Sequence, residues 1–165
     1  MQHGMSYNLI LDPSLTLEEQ EAVVTGSYAW EKAIPGLTFH YQWSACHGFG
    51  DSSHTICIYA DQDTPLDDNG YMIDARTIFQ HGFLTPSDSP ASDSCSIDIH
   101  SANMANHGMP YPNVALNVVT HELGHAMTHN SQHIAAGNLM SFCIVKQPEP
   151  EVITSADMDY FWSAR

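Results

Sequence analysis

Short apolar or alternating stretches divide the chain into segments with the character of strands. They are LIL (9–11), LTFHYQW (37–43), HTICIYA (54–60), RTIFQHGF (76–83) and CSIDIHS (95–101). Alternation of apolar and polar residues is typical of a strand that packs one face on a core. The pattern therefore predicts about five strands, most of them bounded by residues that favour turns.

Three other segments repeat apolar residues at helical spacing. Thr16 and Glu19 form a T-x-x-E capping box, which predicts that a long helix begins there and covers 17–34. A second, strongly apolar helix is predicted over 113–127, and a third closes the chain over 154–164. Strands with one long helix inserted early and further helices late indicate a mixed α+β domain.

The length of the chain favours a single domain. It has 165 residues, 43% of them hydrophobic, which is enough to bury a core of its own. No internal repeat or low-complexity tract interrupts the pattern. We therefore treat 1–165 as one domain and expect a monomer.

The charge balance argues against one class of partner. The chain has 19 acidic residues and four basic ones, which gives a net charge of −15. Such a chain repels phosphate backbones, so we expect no nucleic-acid partner, and its field favours cationic substrates or bound cations. No apolar run approaches the roughly 18 residues of a membrane-spanning helix, and no signal peptide is visible, so we expect no membrane span.

The four cysteines allow three disulfide pairings. Cys46 and Cys57 flank a Gly-rich loop, which suits a local bridge, and this leaves Cys95 to pair with Cys143. Disulfides form in oxidising compartments, so we expect a secreted or extracellular protein. Four free thiols are the alternative.

The central helix contains the sequence HELGH, which matches the pattern H-E-x-x-H. His121 and His125 are four residues apart and therefore lie on one helix face, where both imidazoles can bind one ion. Glu122 lies beside that ion and can accept a proton from a water molecule that the ion activates. This arrangement is typical of zinc hydrolases, so Zn²⁺ is the expected cofactor.

The third metal ligand is less certain, because His129 and His133 both follow the motif. In a continuous helix His129 would lie roughly 12 Å from His121 along the axis, too far for one ion. The chain must therefore reverse, and THNSQH (128–133) contains poor helix formers, among them Asn130, which tolerates the left-handed conformation. We expect His133 to return to the metal, with His129 as the less favoured ligand.

The segment HELGHAMTHNSQHIAAGNLMS resembles the metzincin zinc peptidases, whose pattern is H-E-x-x-H-x-x-G-x-x-H followed by a methionine turn. The resemblance covers most of the chain and is closest to the matrixin-like members. It implies a mostly parallel twisted sheet of about five strands with an antiparallel edge strand. It also implies that Glu122 is the general base and acid and that Met140 forms the turn beneath the zinc. By the same resemblance, peptide would bind antiparallel along an edge strand, either CSIDIHS (95–101) or RTIFQHGF (76–83). QPEPE (147–151) would line the specificity pocket.

Several residues depart from the family pattern. Thr128 replaces the family glycine, Ser131 stands where the third histidine is expected, and His133 comes two residues late. An insertion of two residues in the reversal would explain these departures. Phe142 replaces a tyrosine that some members use near the transition state, and no cysteine-switch segment is visible.

Two weaker patterns suggest further ions. The segment ADQDTPLDDNG offers clustered oxygen ligands that suit calcium, although it does not match an EF-hand loop. The candidate calcium ligands are Asp61, Asp63, Asp67, Asp68 and Asn69. A second zinc site could be built from an aspartate and several of the scattered histidines, which are His47, His54, His81, His100 and His107.

The function that these residues favour is a zinc-dependent endopeptidase, in which Glu122 activates a zinc-bound water that attacks the peptide bond. The alternative is a non-catalytic, zinc-stabilised binding domain on the same fold, in which the altered reversal closes the fourth coordination position. A third possibility is a gluzincin-like enzyme with Glu149 or Glu151 as a ligand. The presence of Glu122 favours the first, because a structural zinc site needs no base.

Overall fold

Five strands form one sheet in the computed structural model, which describes residues 4–46, 54–80, 94–141 and 152–164. The strands are β1 (Met5–Leu11), β2 (Leu37–Trp43), β3 (Thr55–Asp61), β4 (Ala75–Gln80) and β5 (Ser94–His100). Their order across the sheet is β2-β1-β3-β5-β4. All neighbouring pairs are parallel except β4 and β5, which are antiparallel, so β4 is an antiparallel edge strand. The predicted mostly parallel sheet is confirmed.

Within these described ranges, four helices accompany the sheet: α1 (Leu17–Ala33), α2 (Ser101–Ala105), α3 (Tyr111–Thr128) and α4 (Ser155–Ser163). The predicted capping box of α1 is present, because the Thr16 hydroxyl accepts a hydrogen bond from the Glu19 backbone N–H and the Glu19 carboxylate accepts one from Thr16. The α+β class is therefore confirmed, and only the five-residue α2 was not expected. No helix within the described ranges is long and apolar enough to cross a membrane.

A close contact between α1 and α3 fixes the position of the central helix. A Cβ atom on Gly26 would lie 2.4 Å from the Thr120 hydroxyl oxygen, so only glycine allows this approach without a shift. Four residues further along α1, the Trp30 indole Nε1 donates a hydrogen bond to the Thr120 carbonyl at 2.9 Å. Trp30 is fully buried. These contacts hold the middle of α3 against α1, one residue before His121.

The disulfide prediction is half correct. Cys46 and Cys57 are bonded to each other, as expected from the loop that they flank. The predicted bridge between Cys95 and Cys143 is not formed. Cys95 has a free thiol and is buried at the start of β5. Burial raises the pKa of that thiol to about 12, so it stays protonated at neutral pH. Its expected partner, Cys143, lies outside the described residues.

Candidate metal centre

Three histidine rings converge at the C-terminal end of α3. The Nε2 atoms of His121 and His125 lie 2.9 Å apart, and those of His125 and His133 lie 3.3 Å apart. His121 and His125 are consecutive on one helix face, as their spacing of four residues requires. His133 reaches them from the loop that follows the helix. Within the described parts of the chain this is the one group of three or more His, Cys, Asp or Glu residues placed to hold a metal ion.

The chain reverses where the sequence requires it to, but through a different residue. Helix α3 ends at Thr128, and His129 adopts the left-handed conformation, with φ 51° and ψ 34°. We expected Asn130 in this role. Asn130 instead stabilises the next turn, because its side-chain oxygen accepts a hydrogen bond from the Gln132 backbone N–H at 2.9 Å. Histidine enters the left-handed region more readily than most residues, so His129 can take the position in the turn that was expected for Asn130.

The loop that carries His133 is fastened to the segment around Met140. The Ile134 N–H donates to the Met140 carbonyl at 3.0 Å, and Ile134 and Ser141 form an isolated parallel bridge. Met140 is fully buried, and its sulfur lies against the helix at Gly124, where an added Cβ would come within 2.4 Å of it. Gly124 lies between the two helical histidines, so the methionine packs against the turn of α3 that presents them.

Backbone carbonyls orient the two helical imidazoles. His121 Nδ1 lies 2.7 Å from the Leu139 carbonyl, and His125 Nδ1 lies 2.6 Å from the Asn130 carbonyl. The Tyr160 hydroxyl from α4 donates to the same Asn130 carbonyl at 2.8 Å. A carbonyl can only accept, so each Nδ1 carries the proton and each Nε2 keeps its lone pair for a metal.

A buried carboxylate holds the peptide that orients His121. Asp157 in α4 is fully buried and accepts hydrogen bonds from the backbone N–H groups of Leu139 and Met140, at 3.2 and 2.8 Å. The same carboxylate completes the capping box of α4 with Thr154. Helix α4 therefore supports the metal centre through the Leu139 carbonyl.

Lowered pKa values keep the imidazoles in the form that binds metal, and the effect is largest for the two buried rings, His121 and His125. Burial lowers the pKa of His121 to about 4, and burial together with the nearby His121 lowers that of His125 to about 4. The pKa of His133 is also lowered by burial. At neutral pH the three rings are therefore neutral, and neutral imidazole is the state that coordinates metal ions.

The donor set and its spacing fit zinc. A tetrahedral Zn²⁺ with Zn–N bonds of about 2.0–2.1 Å separates its nitrogens by roughly 3.3 Å, close to the observed distances. The three histidines line a cleft of about 630 Å³ between α3 and the edge strand β4, so an ion that they held would lie beside this cleft. Glu122 lines the same cleft, 8% exposed. Burial raises the pKa of Glu122, and a hydrogen bond from Thr77 opposes that effect.

The described residues give no support to the remaining predicted sites. His129 is not part of the three-histidine group, and its ring lies beside that of Phe79 of β4, with centroids 5.3 Å apart and planes tilted by 30°. The calcium prediction is not supported, because Asp63 contacts His100 at 2.9 Å and the Asp67 carboxylate caps a turn by accepting from the backbone N–H groups of Asn69 and Tyr71. Among the described residues, Asp61, Asp63, Asp67 and Asp68 do not belong to any group of three side chains placed to hold one ion.

The second zinc site is not assembled either within the described residues. His100 contacts Asp63 and Asp98, whereas His107 pairs with Asp74 at 2.7 Å and His54 packs against Tyr7. The two other histidines of this prediction, His47 and His81, lie outside the described ranges. Phe142 and the alternative ligands Glu149 and Glu151 lie outside them too. QPEPE lies outside them as well.

The sequence analysis did not single out three residues that shape the centre, which are Thr77, Asp157 and Tyr160. Thr77 contacts Glu122, Asp157 accepts from the N–H groups of Leu139 and Met140, and Tyr160 donates to the Asn130 carbonyl. Asn130 was expected only to shape the turn, and its carbonyl also orients His125. The contact between Thr77 and Glu122 spans 45 residues, and such a pair leaves no local pattern. The capping box at Thr154 and Asp157 was the one available signal, since it marks a fixed carboxylate.

Comparison with known proteins identifies the fold. Archaemetzincin from Methanopyrus kandleri superposes with a TM-score of 0.60 at 10% sequence identity, and the match covers 98% of this chain and 95% of that one. The chain therefore has an archaemetzincin-like α+β fold. No family model and no curated protein sequence matches it.

Proposed function

We propose that this protein is a zinc-dependent endopeptidase. The observation that supports it most is the convergence of three neutral imidazoles beside a carboxylate at an open cleft, on a fold like that of a protein named archaemetzincin. His121, His125 and His133 would hold the ion, and Met140 would form the methionine turn beneath it. The matrixin-like character of the motif is part of this proposal.

The roles of the protein's own residues follow from their positions. Bound zinc would supply a Lewis acid that polarises a carbonyl oxygen and makes water more acidic. Glu122 accepts a hydrogen bond from a water molecule in the cleft, takes its proton during attack on the peptide carbon, and delivers that proton to the leaving nitrogen. Because Glu122 is only slightly exposed, few other water molecules can reach its carboxylate. In the described sheet β4 is an edge strand, and it borders the cleft, so an extended peptide would add to its outer edge as a further strand.

The test compares the parent protein with Glu122→Gln, which keeps the shape of the side chain and removes the base. We expect the zinc-loaded parent to cleave unstructured polypeptides, and we expect Glu122→Gln to retain zinc and lose cleavage by roughly 1,000-fold or more. Zinc content is measured by atomic emission, and cleavage with a fluorogenic peptide library. A parent that holds one zinc and cleaves nothing would favour the binding-domain alternative.

The Cys46–Cys57 bridge supports an oxidising location for the protein. We therefore propose that it works outside the reducing cytosol, and that it does so as a monomer. Sedimentation of the zinc-loaded protein tests the second point, and the redox state of the bridge in cells, read by thiol alkylation, tests the first.

A further inference from the structure

Thr77 of the edge strand β4 contacts the catalytic carboxylate with its hydroxyl group and, more weakly, with its backbone N–H. Thr77 Oγ1 lies 2.5 Å from Glu122 Oε2 and 3.1 Å from the Glu122 backbone carbonyl oxygen. A hydroxyl has one proton to donate, and the shorter contact has the length of a hydrogen bond to an ionised carboxylate. The proton of Thr77 is therefore directed at Oε2.

We propose that Thr77 is a positioning residue that holds the Glu122 carboxylate in the orientation needed for proton transfer. The inference rests on the proposed function, because it assigns a partner to the general base of that reaction. Thr77 does not contact the metal-binding nitrogens, so its effect passes through Glu122 alone.

The surroundings of Glu122 explain why one bond matters. Within the described parts of the chain, Thr77 is the only side chain that donates a hydrogen bond to this carboxylate. A glutamate side chain has three rotatable bonds, and without a partner it would sample several orientations at the cleft wall. Fixing one oxygen limits that freedom and leaves the second oxygen to accept the proton of the attacking water.

The position of Thr77 also places the bond where substrate would bind. Thr77 pairs with Ile97 of β5 in the middle of β4, and β4 is the outermost strand of the sheet. The strand forms one wall of the cleft and α3 forms the other, and the Thr77–Glu122 bond joins the two walls. A peptide that adds to β4 would therefore lie against the residue that orients the base.

The test uses Thr77→Val, which keeps the branched shape suited to a strand and removes the hydroxyl, and Thr77→Ser, which keeps the hydroxyl. We expect Thr77→Val to lower kcat roughly 10- to 100-fold with KM and zinc content near those of the parent, and Thr77→Ser to restore kcat to within about threefold. Thr77→Ala carries the same expectation as Thr77→Val and replaces it if the valine variant does not fold.

A second measurement is independent of turnover. In the metal-free protein, Thr77→Val should lower the unfolding midpoint more in the parent background than in a Glu122→Ala background. The bond to the carboxylate is already absent in the second background, and only the longer contact with the backbone carbonyl of residue 122 remains to be lost. Equal losses in both backgrounds would overturn the proposal, and so would an unchanged kcat in Thr77→Val or an equal loss in Thr77→Ser. Absence of cleavage by the zinc-loaded parent would instead reject the proposed function itself.

Discussion

Two clusters of histidine and carboxylate in this molecule look alike in composition and differ in arrangement. At the end of α3, His121, His125 and His133 bring their Nε2 atoms together beside Glu122. At the end of β5, His100 lies between carboxylates: its Nδ1 is 2.9 Å from Asp63, its Nε2 is 3.6 Å from Asp98, and Nε2 has no hydrogen-bond partner among the described residues.

The clusters differ in the hydrogen-bond partner of Nδ1, the ring nitrogen that is directed away from the other histidines in the cluster on α3. His121 and His125 each direct Nδ1 at a backbone carbonyl, which fixes the proton there and leaves Nε2 for a metal. His100 directs its Nδ1 at the carboxylate of Asp63, whose side chain is 61% exposed, and among the described residues His100 does not belong to a group of three possible metal ligands. Ligand-type residues in proximity are therefore insufficient for a candidate metal site, and the anchoring of the Nδ1 atoms distinguishes the cluster on α3 from the polar cluster on β5.

The largest effect that separates the clusters is expected from the loss of a ligand. His133→Ala should lower zinc affinity by more than about 100-fold, because loss of a supporting hydrogen bond alone costs 10- to 100-fold. His129→Ala and His100→Ala are the matched controls and should keep one zinc per chain. Competition with a chromogenic chelator measures all three affinities. Zinc loss in His129→Ala but not in His133→Ala would reassign the third ligand.

The next largest effect concerns the carboxylates that hold each cluster in place, which are Asp157 for the cluster on α3 and Asp63 for the cluster on β5. Asp157→Ala leaves two buried backbone N–H groups, those of Leu139 and Met140, without an acceptor, at a cost of roughly 3 kcal/mol in the free energy of unfolding. Zinc affinity should fall about 10-fold, because the Leu139 carbonyl orients His121. Asp63→Ala removes an exposed partner of His100 and should change stability by less than about 1 kcal/mol. Urea unfolding measures both, and equal effects would remove the distinction between the anchors.

Sequence patterns predicted most of the fold because strands and capped helices leave local signals. The alternating LTFHYQW is β2 to the residue, and the T-x-x-E box is the start of α1. Helix α2 escaped prediction because five residues without a side-chain cap show neither periodicity nor a start signal. The spacing of His121 and His125 was likewise sufficient to place them on one face of α3.

The rest of the site depends on contacts between distant segments. The left-handed residue turned out to be His129 instead of Asn130, since either residue tolerates that conformation and the packing of the loop decides between them. Thr77 and Asp157 reach the site from β4 and α4, and no local pattern marks a hydroxyl as the partner of one carboxylate. The acidic segment after β3 suggested calcium only because composition does not reveal where each carboxylate points.

A pH-dependent effect should distinguish the cluster on β5. Burial, followed by the nearby Asp61, raises the pKa of Asp98 from its ordinary value of 3.8 to about 6, while His100 opposes the shift. The Asp98 carboxyl group therefore binds its proton more tightly in the folded state than in the unfolded state. The resulting contribution to the free energy of unfolding is fully present below about pH 4 and is lost as the pH rises to about 6. The charged or titratable groups around it are Tyr59, Asp61, Asp63, Arg76 and His100.

Asp98→Asn removes this ionisation and should therefore raise the unfolding temperature above that of the parent at pH 8, with little difference between the two proteins near pH 4. Calorimetry at several pH values measures the difference. A gain that stays constant from pH 4 to pH 8 would show that Asp98 does not titrate in this range.

The smallest effect tests the reversal on which the metal centre depends. His129 has φ 51°, a conformation that costs residues with a Cβ atom about 1 kcal/mol or more and glycine nearly nothing. His129→Gly and His129→Ala both lose the contact with Phe79 and differ only in backbone preference. The glycine variant should therefore unfold with a free energy about 1 kcal/mol greater than the alanine variant, and both should retain zinc. In a continuous helix the order would reverse, because alanine is favoured there by about 1 kcal/mol. Urea unfolding of this pair thus reports whether α3 ends at Thr128, where the chain must turn for His133 to reach the other two histidines.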